Sequence, residues 1–327
     1  MELADVADSK SAGSDTVPVR LRPAAPFAAS HFDLPRFFTL GGLFMKNKCG
    51  LVLEGGAMRG MFTAGVLDVL MENDVKFDGI IGVSAGATFG CNYISGQIGR
   101  TIRYNKKYCK DKRYCSFRSL IKTGDLYGTD FCYNKLPNEL DPFDNDAFRQ
   151  NDTEFYIVCT DIETGKPVYK KYDVDDPDCL LWMRASASMP LASRIVEVDG
   201  KKLLDGGMSD SVPVREFQKM GYDKNVVILT QPYDYIKKKN SALPLISLVY
   251  KKYPELIKVM ANRHNMYNET TEYIKEQENL GNILVIRPEK TLPVNHVEHN
   301  ADNLEFAYQL GRQAGENNLD KIKSFIK

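Results

Sequence analysis

The stretch Asp78-Gly79-Ile80-Ile81-Gly82-Val83-Ser84-Ala85-Gly86-Ala87 decides how this chain is read. The apolar run ending at Val83 has the composition of a short buried strand, and the small residues after Ser84 open a helix. Between them, Gly82-Val83-Ser84-Ala85-Gly86 has the Gly-x-Ser-x-Gly spacing of a nucleophile elbow. A serine in that turn is held on a strained backbone, and its neighbours two positions away lack side chains so that strand and helix can pack closely. The turn also leaves N–H groups free at a helix N-terminus, where they stabilise developing negative charge. Alone, the pentapeptide is a common chance match. Its weight comes from the strand before it, the helix after it and two further elements of the chain.

Working outward on the N-terminal side, residues 49–54 read as a first buried strand, followed by the loop Gly55-Gly56-Ala57-Met58-Arg59-Gly60. A helix is expected from Met61 to about Asn73, because Phe62, Val66, Val69 and Leu70 fall on one helical face. Residues 77–83 then form the second strand. Strand, glycine loop, helix and strand imply a right-handed crossover and a parallel pair. As a dinucleotide fingerprint the loop fails, since its glycines are out of register and no acidic residue closes the second strand. As a Walker A loop it lacks Gly-Lys-Ser/Thr. As an oxyanion loop it fits: small residues let backbone N–H groups point into a cavity, and Arg59 adds positive charge nearby. A tight turn that merely needs glycine is the plainer alternative.

On the C-terminal side, residues 100–133 are basic and aromatic, with Tyr104, Tyr108 and Tyr114 among the lysines and arginines. A solvated helix and loop beside the site is preferred there to a phosphate or nucleic-acid surface. Residues 154–160 read as a central strand, 167–172 as an edge strand and 179–188 as a helix whose Ser186 and Ser188 serve packing. Residues 195–198 and 201–204 flank an Asp199-Gly200 hairpin turn, and Asp205-Gly206-Gly207 follows directly. Ser211-Val212-Pro213 starts another helix. Strands at 225–230 and 282–287 alternate with helices at 242–252 and 254–279, and an amphipathic region at 304–326 closes the chain. Strands alternating with helices predict a three-layer α/β/α sandwich around a mainly parallel sheet.

The bulk numbers set outer limits. A chain of 327 residues buries a sizeable core. With 43 basic and 43 acidic residues, no global electrostatic case for nucleic acid follows. The seven cysteines are scattered without a C-x-x-C pair, which fits a reducing compartment and a cytoplasmic location. No apolar run reaches the length of a membrane-spanning helix. Residues 1–44 lack signal-peptide layout, and Met45 directly precedes the first strand. The folded unit is therefore expected at residues 45–327, with residues 1–44 a leader or a disordered extension.

Three elements now stand in order: Glu54-Gly55-Gly56-Ala57-Met58-Arg59-Gly60, Gly82-Val83-Ser84-Ala85-Gly86 and Asp205-Gly206-Gly207. Together they resemble the patatin-like phospholipase family, by motif over residues 49–214 and by architecture over most of 45–327. The resemblance implies Ser84 as nucleophile, Asp205 as its partner, and Gly56, Ala57 and Ala85 as oxyanion donors, with Arg59 as the loop's basic residue. Gly55, Gly60, Gly82, Gly86, Gly206 and Gly207 complete the motifs. Two positions depart from the family pattern: Glu54 replaces a common Asp, and Ala57 replaces a common third Gly, where a methyl group narrows the acyl pocket or strains the loop.

The implied chemistry is hydrolysis of a lipid ester through an acyl-serine, without metal or organic cofactor. A rival is a Ser–Asp–His triad using His264, His296 or His299; against it, too few strands precede Ser84. His296 and His299 beside Glu298 also raise a metal site, but they lack a placed third ligand. A non-catalytic lipid-binding relative is the remaining alternative. Residues 235–260 interleave Lys237-Lys238-Lys239 and Lys251-Lys252 with apolar residues, as in a peripheral membrane contact, although a helix pair with a solvated basic face is preferred. Oligomeric state and head-group choice are not legible in these motifs.

Overall fold

The computed structural model describes residues 48–327, so the expectation for residues 1–44 lies outside the described residues. β1 (Cys49–Leu53) leads through a 3₁₀ turn at Ala57–Arg59 into α1 (Gly60–Glu72), and β2 (Gly79–Val83) turns at Ser84 into α2 (Ala85–Ile94). Then follow α3 (Arg100–Tyr108), α4 (Phe117–Thr123), a wide helical turn at Phe131–Leu140, α5 (Asn145–Arg149), β3 (Glu154–Asp161), β4 (Pro167–Lys171) and α6 (Cys179–Ser186). The hairpin β5 (Val196–Val198) and β6 (Lys201–Asp205) precedes α7 (Val214–Lys219) and β7 (Lys224–Ile228). The last elements are α8 (Leu243–Val249), α9 (Pro254–Asn279), β8 (Ile283–Ile286) and α10 (Ala301–Phe325).

The strands run β3-β2-β1-β7-β8 in parallel, while β4 and the β5–β6 hairpin pair antiparallel at the β3 side. Period-two side chains feed two separate cores. Leu51, Leu53, Ile80, Ile157 and Ile228 pack with α1, α2 and α6 on one face, whereas Val52, Ile81, Val83, Val158 and Val227 pack with α7 and α9 on the other. That is the expected α/β/α sandwich; most strand and helix ends fall within a residue or two of those read from the sequence, while the helix expected at 242–252 ends three residues early at Val249 and the closing helix begins three residues early at Ala301.

The pairing register places the site. β2 runs along β3 until Val83 stands opposite Val158, and β6 runs the other way until Asp205 stands opposite Cys159. β4 occupies the other edge of β3 from Tyr156 to Thr160, so β2 and β6 share one edge and meet there end to end. The chain leaves β2 at Ser84 and leaves β6 at Asp205, side by side.

One expectation is corrected. Tyr104, Tyr108 and Tyr114 are buried rather than part of a solvated segment, because Tyr104 and Tyr108, four apart on α3, turn inward to Phe131 and Leu136. On α3 the exposed residues are the basic Arg103, Lys106 and Lys107.

Candidate active site

Ser84 sits at φ 54° and ψ −119°, a backbone conformation that L-residues avoid. The elbow closes only around small neighbours: a Cβ on Gly86 would stand 2.9 Å from the Glu54 carbonyl oxygen, and one on Gly82 would stand 2.7 Å from the Ala87 nitrogen. The Ser84 N–H donates to Ser186 Oγ at 2.9 Å, and the Ser186 hydroxyl donates to the Val158 carbonyl at 2.7 Å. Ser186 therefore ties the elbow to β3, a positioning role that packing arguments from sequence did not assign. The Ser84 side chain borders the same cavity as the Asp205 carboxylate and acts to lower that group's pKa.

Asp205 is held from several sides. Its Oδ1 accepts the Gly207 N–H at 2.7 Å, its own N–H donates to the Ser188 carbonyl at 2.8 Å, and Thr160 Oγ1 donates to its carbonyl at 2.8 Å. Burial pushes its carboxyl above the ordinary value, opposed by the Ser84 side chain, the Arg263 charge and the Gly207 N–H. Gly206 lies against Val158, and the Gly207 carbonyl accepts from Ser211 Oγ at 2.7 Å and Arg263 Nε at 2.6 Å.

Across the elbow lies the glycine loop. A Cβ on Gly55 would be 3.1 Å from Ser84 Cβ, so this backbone reaches the nucleophile only as glycine. The N–H groups of Gly55 and Gly56 have no hydrogen-bond partner among the described residues. Ala57 adopts φ 49°, the strained alternative expected of an alanine at this position. Gly60 opens α1 against Phe89, and Ala85 opens α2, leaving its N–H without an intrahelical partner. Glu54 is buried; its Oε2 accepts from the backbone and hydroxyl of Thr230, and its Oε1 from the Tyr267 hydroxyl. The longer acidic side chain is thus used as a brace between the loop, the end of β7 and α9.

Among the described residues no histidine is hydrogen-bonded to Ser84 or Asp205. His296 Nε2 lies 3.3 Å from the Arg59 guanidinium, His299 Nδ1 lies 2.6 Å from the Cys109 carbonyl, and His264 Nδ1 is buried without a partner. Glu298 accepts the Asn300 N–H at 2.9 Å at the start of α10. Among the described residues no group of three or more His, Cys, Asp or Glu could hold a metal ion.

Residues 51–217, which contain Ser84, Asp205 and the glycine loop, match the family model described as patatin-like phospholipase. The chain belongs to the patatin-like phospholipase family. Residues 253–327 match a second model, a domain of unknown function (DUF6363). YjjU of Escherichia coli (strain K12), an uncharacterized protein, is 28% identical over 282 residues, 83% of this chain and 77% of its own. Lysophospholipase nte1 of Aspergillus terreus is 29% identical over 211 residues, 62% of this chain but only 13% of its own. The crystal structure of VipD from Legionella pneumophila aligns at 13% identity with a TM-score of 0.43, over 84% of this chain and 67% of its own.

In this patatin-like chain Ser84 borders two cavities. The larger, about 400 Å³, is lined by Met58, Phe89, Tyr104, Tyr133 and Met183 among others. The smaller, about 200 Å³, contains Asp205, Gly55, Gly56, Arg59, Lys237, Arg263 and His296. Ala57, Ser84 and Met189 border both.

Proposed function

We propose that this chain is a lipid acyl hydrolase that uses Ser84 and Asp205 as a catalytic dyad. The observation that carries the proposal is the juxtaposition of a strained elbow serine and a buried carboxylate in one cavity, at a point bordered by free backbone donors. The acyl chain occupies the larger cavity. As Ser84 Oγ attacks the ester carbonyl carbon, its proton passes to Asp205, and the carbonyl oxygen becomes an oxyanion facing the N–H groups of Gly56, Ala57 and Ala85. One such donor typically contributes about 3 kcal/mol. The carbon–oxygen bond to the alcohol then breaks, and the leaving oxygen takes the proton from Asp205. Water attacks the acyl-serine, gives a proton to Asp205 and releases the fatty acid; that proton returns to Ser84 Oγ. A carboxyl raised by burial is a stronger base than a free aspartate, which helps it deprotonate a hydroxyl.

Hydrolysis of a short p-nitrophenyl acyl ester series tests the dyad. Ser84→Ala and Asp205→Asn are expected to be inactive, while a variant with His264, His296 and His299 all changed to Ala retains turnover. An inactive but folded triple-histidine variant would favour the triad. Absence of both turnover and serine-probe labelling in the wild type would favour a non-catalytic lipid-binding relative.

A peripheral contact with a lipid surface is supported by the α8 region. Ile236 (71% exposed) and Leu248 (70%) stand beside exposed Lys238, Lys239, Lys251 and Lys252. No described helix is long and apolar enough to cross a membrane. The seven unpaired cysteines favour a reducing, cytoplasmic setting. Sedimentation with anionic vesicles should fall when these four lysines become Gln; unchanged binding rejects the contact.

A further inference from the structure

The two cavities differ in how their cations are matched. In the larger one Arg100 faces Asp141 at 3.5 Å, Arg149 faces Asp175 at 2.7 Å and Arg184 faces Asp125 at 3.2 Å. In the smaller one Arg59, Lys237 and Arg263 form no ion pair among the described residues, although all three lie within one 200 Å³ space. Two carboxylates border that space, and both are engaged. Glu54 accepts from Thr230 and Tyr267, and Asp205 accepts from Gly207 with Ser84 on the same cavity wall.

These cations are also held in place. The backbone around Lys237 is clamped to α9, its N–H donating to Asn268 Oδ1 at 2.8 Å and its carbonyl accepting from Asn268 Nδ2 at 3.1 Å. Its ammonium lies 4.2 Å from the centre of the Tyr267 ring. Arg263 is oriented by its hydrogen bond to the Gly207 carbonyl, two residues from Asp205. Burial, then the charges of Arg59, Lys237 and Arg263, hold the His296 imidazole below its usual pKa, so the ring faces the space as a neutral group. Three partly desolvated cations that share two carboxylates, neither in a direct ion pair with them, are costly to keep, and a bound anion offsets that cost.

We infer that the smaller cavity is an anion subsite, in which Lys237 and Arg263, with Arg59 beside the nucleophile, receive a phosphate carried on the alcohol half of the ester. The subsite rests on the hydrolase reading for its orientation: with the acyl chain in the larger cavity, the leaving alcohol points into the smaller one. A compact tetrahedral oxyanion offers several acceptors to a convergent set of N–H donors. A neutral alcohol supplies those cationic donors with no opposite charge.

The test compares 1-acylglycerol 3-phosphate with 1-acylglycerol of the same acyl chain. In the wild type, kcat/KM for the phosphate-bearing ester is expected to exceed that for the neutral one by at least about tenfold, the effect of one charge-assisted hydrogen bond. Lys237→Met should collapse this ratio and Lys237→Arg should restore most of it; a ratio within one variant is insensitive to the folded fraction. No preference in the wild type, or a preference that survives Lys237→Met, overturns the assignment while leaving the hydrolase reading intact. Calorimetric titration with glycerol 3-phosphate reads the subsite without turnover. Binding that is lost in Lys237→Met supports the subsite even if neither ester is hydrolysed, a result that would instead reject the hydrolase reading. Inorganic phosphate binding as tightly as glycerol 3-phosphate would assign the cavity to the free ion and overturn the leaving-group role.

Discussion

Glu54 Oε1 accepts a hydrogen bond of 2.7 Å from the Tyr267 hydroxyl, joining residues 213 positions apart in sequence. Glu54 begins the glycine loop and Tyr267 lies inside α9, so the C-terminal segment braces the backbone that faces the nucleophile. Tyr267→Phe removes one partner from a buried carboxylate, at a cost of about 1–3 kcal/mol. The urea midpoint should fall with an unchanged slope, and kcat should fall more than KM rises. Unaltered stability would mean that the bond does not brace the loop.

Ser84→Gly removes both the nucleophile and the penalty of a side chain at φ 54°. Strain of this kind is worth about 1–3 kcal/mol. The variant should therefore be inactive and melt several degrees higher than wild type, whereas Ser84→Ala, equally strained, should be inactive with little gain. Equal melting of the two variants would show that the elbow stores no strain.

Asp205 sets the acid side of the pH profile. Burial raises its carboxyl, so kcat/KM should fall with acid at a pH above that of a free aspartate, about 3.9. A raised folded-state pKa means that the ionised group costs stability at neutral pH. Asp205→Asn should accordingly abolish turnover yet raise the melting temperature, with the gap closing as the pH falls through the raised value. A variant less stable than wild type at neutral pH would contradict this.

Lys237 sets a basic limit on anion binding. Its pKa is lowered to about 8, by burial first and then by the Arg263 and Arg59 charges, with Glu54 opposing. The Tyr267 and Tyr235 rings lie against its ammonium, and His296 and Asp205 border the same cavity. Affinity for glycerol 3-phosphate should weaken between pH 7 and 9 in wild type, a range in which the phosphate, with its second pKa of about 6, is already a dianion. Lys237→Arg should flatten that dependence, since guanidinium keeps its charge.

The elbow was legible because its requirement is local: two glycines flanking a serine between an apolar run and a small-residue helix. The parallel crossover around it was legible for the same reason. What brings Asp205 to Ser84 is non-local, since it depends on β2 and β6 pairing with the same edge of β3 from opposite directions. No periodicity within either strand records that register, and only the order of three motifs pointed to it. The anion subsite was missed because Lys237 sits in a lysine run that reads as solvated surface. A signal did exist in α9. Leu256, Met260, Tyr267, Thr270 and Ile274 form a buried stripe at alternating spacings of four and three, and Arg263 interrupts it. A charge in such a stripe calls for an anion or a carbonyl, and here the Gly207 carbonyl supplies only part of the answer.

The small cavity draws its walls from two separate runs of sequence. Every group that would exchange a proton or an electron pair lies within residues 51–217, whereas Lys237, Arg263 and His296 all come from beyond that run. A lineage could thus change its diet by altering side chains in the last third of the gene product, while the reacting atoms stay where they are. Kin with the same elbow and a different tail would then be expected to share a reaction and differ in what they consume.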